Sequence, residues 1–210
     1  MKNLKIIKVN NCNFHIYLEQ NKIDEFLSLI KKIPAKYFSS CKNVYIYPTE
    51  FLKDKQFDAF SQKDSILINP DQIDNNKDLL KNIMHELYHL SSNDIKNSYN
   101  EQYQNVCSEY IKKKNKVLDK IRSDNRFQKP KAFYYKVLTY NRDFDNYLFN
   151  IINYNNLYTR IEDLFPNAYS MTSVDEYIAV CIEVFFFENN KWLSMYCPEV
   201  FKLIKELENE

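Results

Sequence analysis

The sequence predicts an α+β fold, with a small sheet built from the first 70 residues and helices filling the remainder. Three observations carry that expectation. Short runs rich in β-branched and aromatic residues stand at Leu4–Val9, Asn13–Leu18, Val44–Tyr47 and Ser65–Ile68, the composition that suits a pleated, half-buried strand. Beyond them the apolar residues recur with helical rather than alternating spacing. Strands come first and helices afterwards, which separates this order from the βαβα alternation of a doubly wound sheet.

Each element has its own signal. Ile23, Phe26, Leu27 and Ile30 place a helix over Ile23–Ile33, and Pro34 stops it. Pro70 ends the last strand, and a long helix is expected from near Asp74–Asn76 to about Ser92. Ser98–Tyr158 reads as helical throughout: Tyr99, Tyr103, Val106 and Tyr110 follow the helical period, and a further helix is expected after Pro130. Pro166 breaks the chain again. A helix from about Ser173 to Asn189 and a short one after Pro198 complete the map. No repeat is visible, and the expected organisation is one domain over residues 1–210.

Composition narrows the function. Of 210 residues 45% are hydrophobic and 27% charged, with a net charge of +1. That balance is ordinary for a globular chain and gives no whole-molecule attraction to nucleic acid or acidic membranes. There is no glycine, so neither GxGxxG nor a Walker loop can form, and nucleotide-dependent enzymes of those types are excluded. Asn and Asp, which tolerate the left-handed conformation, must then serve turns and helix ends; Asn75-Asn76, Asn155-Asn156 and Asn189-Asn190 are the expected stops. The five cysteines (Cys12, Cys41, Cys107, Cys181, Cys197) form no CxxC pair, which suits a reducing compartment. The start MKNLKIIKVNNCNF is too broken by polar residues for a signal peptide. The expected location is cytoplasmic, or outside the cell by delivery without such a signal.

The chemistry concentrates in Asn82-Ile83-Met84-His85-Glu86-Leu87-Tyr88-His89-Leu90. This is HExxH: on a helix, residues four apart share a face, so His85 and His89 can ligate one zinc ion with Glu86 beside it as general base. Leu80, Ile83, Met84, Leu87 and Leu90 form an apolar stripe, with the two histidines projecting on roughly the opposite side. A catalytic zinc needs a third protein ligand. No later histidine exists, and His15, far upstream, reads as a packing or surface residue. The third ligand is therefore expected to be a carboxylate on a later helix, with Glu176 first and Glu101, Glu109 and Glu183 in reserve. Ser173-Val174-Asp175-Glu176 also reads as a capping box.

Around Glu176 the chain resembles a known family, the zinc peptidase domain of anthrax lethal factor and the clostridial Pro-Pro endopeptidases. In that family a tyrosine after HExxH is followed seven residues later by a glutamate opening a motif like E-[FY]-F-A-E. Here Tyr169 precedes Glu176 by seven residues, and Glu176-Tyr177-Ile178-Ala179 matches the first four positions. The resemblance covers Ile66–Leu90 and Tyr169–Phe187. It implies a zincin-like fold, Glu176 as third zinc ligand, and Tyr169 as hydrogen-bond donor to the developing oxyanion. It departs at Val180, where the family has a second glutamate, at Tyr88, where it has glycine, and at Ser92, where it has an acid. The long interval from His89 to Glu176 makes Ser98–Tyr158 an enlarged insertion.

The function expected is hydrolysis of a peptide bond in a protein substrate, lethal-factor-like, with a toxin or effector role implied only by the resemblance. One alternative is a cytoplasmic peptidase that cleaves a phage or stress repressor, since Glu176 and Ala179 also satisfy a later E-x-x-A helix. Another is an inactive zincin-fold binding protein. The substrate is expected in extended form, added to the edge of Ser65–Ile68 by β-augmentation. No nucleic-acid partner and no membrane insertion are expected. The run Lys112-Lys113-Lys114-Asn115-Lys116 reads as a solvated helix face, the aromatics between Phe133 and Tyr154 as helix packing, and Cys181 as a small core residue.

Overall fold

The computed structural model describes residues 3–18, 20–31, 33–55, 58–73 and 75–209. The architecture is α+β, and the chain divides into two compact units, Met1–Ile95 and Lys96–Glu210. No helix among the described residues is long and apolar enough to cross a membrane.

The first unit is built on a five-stranded sheet in the order β1-β2-β3-β5-β4, with β1 Asn3–Val9, β2 Cys12–Leu18, β3 Asn43–Ile46, β4 Ala59–Gln62 and β5 Ser65–Ile68. The central pairings β2–β3 and β3–β5 are parallel, and the flanking hairpins β1–β2 and β4–β5 are antiparallel. Strand alternation sets the buried face: Cys12, Phe14, Ile16 and Leu18 of β2, Val44 and Ile46 of β3, and Ile66 and Ile68 of β5 are all buried. Helix α1 (Gln20–Ile30) contributes Phe26, whose ring lies 5.8 Å from Phe14, and Phe38 meets Phe14 at 6.0 Å. On the other face Leu4 and Ile6 are 61% and 65% exposed, and His15 stacks on Tyr45 at 4.6 Å. His15 is therefore a cross-strand packing residue. A short helix α2 (Glu50–Lys55) buries Leu52.

Both hairpins close with two residues, Asn10-Asn11 and Lys63-Asp64, and in each the first has positive φ, 55° and 58°. That hand of turn matches the twist of paired strands. Asn10 takes the conformation readily, whereas at Lys63 it costs about 1–2 kcal/mol. The other positive-φ residues are Asn153 and Asp163, so the expected Asn pairs are not left-handed stops. Asn75 and Asn189 instead start helices: their side chains accept from the backbone N–H of Asp78 and Trp192. This is the preferred N-cap chemistry of asparagine.

Strand β4 was not legible, since Phe60 is its one large apolar residue. Its presence overturns the expected peptide edge. β5 is paired on both sides, with β3 and with β4, because the Lys63-Asp64 turn folds the preceding segment back against it. The free edges of the described sheet belong to β1 and β4.

Helix α3 runs Asn76–Ser98 and buries Leu79, Leu80, Ile83, Met84, Leu87, Tyr88 and Ile95. Its start at Asn76 falls within the expected range Asp74–Asn76, of which Asp74 lies outside the described residues. The helix passes Ser92 because the hydroxyls of Ser91 and Ser92 donate back to the carbonyls of Leu87 and His89. Serines bonded in this way ride within a helix instead of ending it.

The second unit gathers α4 (Asn100–Ser123), α5 (Arg142–Asn146), α6 (Tyr154–Ile161), α7 (Val174–Phe187), α8 (Asn190–Tyr196) and α9 (Pro198–Asn209). The stretch 98–158, expected to be helical throughout with a further helix after Pro130, is less regular: residues 124–131 are not helical, Ala132–Tyr135 is a single 3-10 turn, and Tyr147–Ile152 is a π-helical segment. Tyr110, Phe165 and Tyr177 pack ring against ring at 5.4–5.9 Å. Tyr134, Phe144 and Tyr147 form a second aromatic cluster, in line with the packing role expected for that stretch. Cys181 is fully buried.

The lysine run departs from expectation. Lys113 and Lys114 are buried. Lys113 donates to Glu109 at 3.1 Å and to the Tyr177 hydroxyl at 2.5 Å. Lys114 donates to the Val137 carbonyl, with its ammonium 5.1 and 5.4 Å from the Tyr110 and Phe144 ring centres. A helix wrapped on several sides buries part of what a charge run suggests is its solvent face.

Candidate metal centre

Helix α3 of the first unit carries the HExxH residues. His85 and Glu86 lie between the buried pairs Ile83-Met84 and Leu87-Tyr88, His89 follows the second pair, and all three are half-buried. The helical repeat brings the two imidazoles together, Nε2 to Nε2 at 3.1 Å. Two nitrogens at 2.0–2.1 Å from one tetrahedral zinc stand roughly 3.4 Å apart. The pair is thus close to ligand spacing, and the donor set of two imidazole nitrogens is one that zinc accepts.

Two neighbours of this pair stand where the resembled family has other residues. Tyr88 is fully buried, and its ring centre lies 5.7 Å from that of His89. The bulky ring packs beside the His89 imidazole, where a glycine would leave space. Ser92 donates to the backbone carbonyl of His89 at 3.0 Å. Its hydroxyl is committed to the main chain, so it does not reproduce an acid that accepts from an imidazole N–H and fixes its tautomer.

The second unit holds Glu176 and Tyr169. Ser173 is the N-cap of α7, and its hydroxyl accepts from the Glu176 backbone N–H at 3.2 Å. The capping expected of Ser173 is present, and it positions Glu176 in the first helical turn. Lys96 bonds Asp175 at 2.9 Å. Burial pushes the Tyr177 phenol up, keeping it a neutral donor; its hydroxyl bonds Glu109, which also accepts from the Glu199 N–H at 2.9 Å. α7 is therefore tied to both α4 and α9 beside Glu176. Tyr169 begins a 3-10 turn, Tyr169–Met171, that packs on α7. It is 40% exposed and lines a groove of about 990 Å³ with Tyr154, Tyr158 and Pro166.

Among the reserve carboxylates, Glu109 is engaged with Lys113, Tyr177 and Glu199, Glu101 is exposed, and Glu183 is half-buried. The Glu109–Lys113–Tyr177 network was missed in the sequence, although the i,i+4 spacing of Glu109 and Lys113 was its available signal. No known protein family, curated protein or solved structure matches this chain.

Proposed function

We propose that the chain is a zinc-dependent endopeptidase with a zincin-like fold, in which His85, His89 and Glu176 hold the metal. One observation carries the reading: His85 and His89 stand Nε2 to Nε2 at 3.1 Å on one face of α3, close to the spacing of two ligands on one zinc ion, and Glu176 is the carboxylate proposed to complete the set. Two imidazoles and one carboxylate are the donor set of a catalytic zinc with an open position. When bound, zinc supplies Lewis acidity that polarises a carbonyl and acidifies a water molecule.

The chain's own residues do the rest. The Glu86 carboxylate takes a proton from the attacking water as its oxygen bonds to the scissile carbonyl carbon. It then returns that proton to the amine nitrogen as the C–N bond breaks. The Tyr169 hydroxyl donates to the carbonyl oxygen as negative charge develops there. Partial burial around His85, Glu86 and His89 limits bulk water and strengthens these interactions.

The test uses a library of unstructured peptides with wild type and Glu86→Gln. Cleavage by wild type, lost in Glu86→Gln while zinc stays bound, supports the reading. A second reading is favoured by Ser92, whose hydroxyl is bonded to the His89 carbonyl at the position where the resembled family has an acid: a zinc-holding fold used for binding. Stoichiometric zinc with no turnover by wild type on any peptide would select it.

A further inference from the structure

Four of the five cysteines stand beside another cysteine. Cys181 is hydrogen-bonded to Cys197 in the second unit. In the first unit Cys12 Sγ and Cys41 Sγ lie 3.5 Å apart, both buried. The backbone fixes this second approach. Cys12 opens β2, Cys41 stands two residues before β3, and the two strands are parallel neighbours with Asn13 opposite Asn43. The Asn13 N–H also bonds the Lys42 carbonyl at 2.8 Å. Strand register therefore brings the two backbone positions close together.

The geometry points to Cys12 and Cys41 as a disulfide site, closed by exchange with a small-molecule disulfide when the chain folds in an oxidising medium. A disulfide needs its sulfurs about 2.05 Å apart. Closing the remaining gap takes rotation of two side chains already in contact, with the strands left in place. The exchange balances as follows. The Cys12 thiolate attacks one sulfur of the oxidant, breaking its S–S bond and releasing one thiolate. Cys41 then loses its proton and attacks the Cys12 sulfur of the mixed disulfide, releasing the second. The protein loses two protons and two electrons, and one oxidant disulfide becomes two thiols. A hydrogen bond from Cys41 holds the Cys12 thiol below its ordinary range, while the same contact and burial push Cys41 up.

The bridge encloses α1 and the Ala35–Phe38 turn, the whole crossover from β2 to its parallel neighbour β3. It staples the one connection that joins the β1–β2 hairpin to the rest of the sheet. Burial of both sulfurs assigns closure to the folding chain, before oxidant is shut out, and protects the bond afterwards. The inference does not depend on the metal reading.

The full-length chain is unfolded and refolded with oxidised and reduced glutathione, residual thiols are blocked with iodoacetamide, and the digest is mapped by mass spectrometry. The expected result is a Cys12–Cys41 cross-linked peptide with Cys107 alkylated. The oxidised chain should melt higher than the reduced one by on the order of 10 °C. Cys12→Ser and Cys41→Ala should each abolish the cross-link and the shift. Should either variant fail to fold, the wild-type map decides alone. Cys12 and Cys41 both alkylated, cross-links scattered among all five cysteines, or a bridged chain melting below the reduced one would overturn the proposal.

Discussion

At the residue scale the proposed chemistry rests on a few side chains whose neighbours set what they can do. Glu86 and the two histidines share one helical face, so replacing Glu86 changes chemistry without removing a ligand. Glu86→Gln should keep its zinc and lose about 10²–10⁴-fold in kcat on any cleaved peptide, read from metal content and rate on one preparation. Tyr88 has a different job, because it fills buried space beside His89. Tyr88→Ala should cost about 3–5 kcal/mol in denaturant unfolding, in the range of large-to-small core substitutions, and should weaken zinc binding by loosening the His89 ring. A Tyr88→Ala chain as stable as wild type would mean that the ring is not a packing element. HExxH was legible because its spacing is a local, single-helix property. The packing of Tyr88 was not, since nothing in an Asn82–Leu90 reading says which side of the helix a tertiary neighbour will cover. The role of Ser92 was hidden for a related reason: a hydroxyl can turn to a ligand or to its own backbone, and only the folded helix shows which.

At the scale of elements, α3, α7 and four of the five strands could be read from pattern because each carries a distinctive run of apolar residues. What escaped were the features that tertiary contact decides. β4 has too few apolar residues to announce itself, yet its hairpin with β5 removes an edge that the sequence had left open. The lysines of α4 looked like a solvated face, and two of them are buried where other elements close over the helix. That burial has measurable consequences. Glu109 is the buried counter-charge of Lys113, whose side chain is 9% exposed. Glu109→Ala should therefore destabilise the chain by about 3–5 kcal/mol, while Lys113→Met, which removes the cation, should cost less. Equal losses in chemical denaturation would argue against a buried ion pair. Lys114 adds a pH signature. Burial pushes its ammonium down from 10.5 to about 8, so between these values the unfolded chain binds the proton that the folded chain has released. Stability must then rise with pH across that window. Relative to Lys114→Met, wild type should gain about 3 kcal/mol between pH 8 and 10.5. A difference that stays flat across the window would show that Lys114 titrates normally.

At the scale of the whole molecule, the α+β class followed from the order of strands and helices, and the two compact units, divided at Ile95 and Lys96, did not. The division lies within α3, a continuous helix, so no linker composition marks it. If His85, His89 and Glu176 hold zinc as proposed, the metal should stabilise the folded chain by mass action. At a free concentration of one hundred times its Kd that gain is about 2.7 kcal/mol, and removing zinc with a chelator should lower the melting temperature reversibly. Readdition of zinc without recovery would mean that the metal is not linked to the fold.

The measurement that bears most directly on the central claim is the metal content of purified wild type beside Glu176→Ala, taken by mass spectrometry with peptidase activity assayed on the same samples. The account predicts one zinc per wild-type chain together with cleavage, and both lost or sharply reduced in Glu176→Ala. Wild type without zinc, or Glu176→Ala holding zinc as tightly as wild type, would contradict the assignment of His85, His89 and Glu176 as a three-ligand peptidase centre.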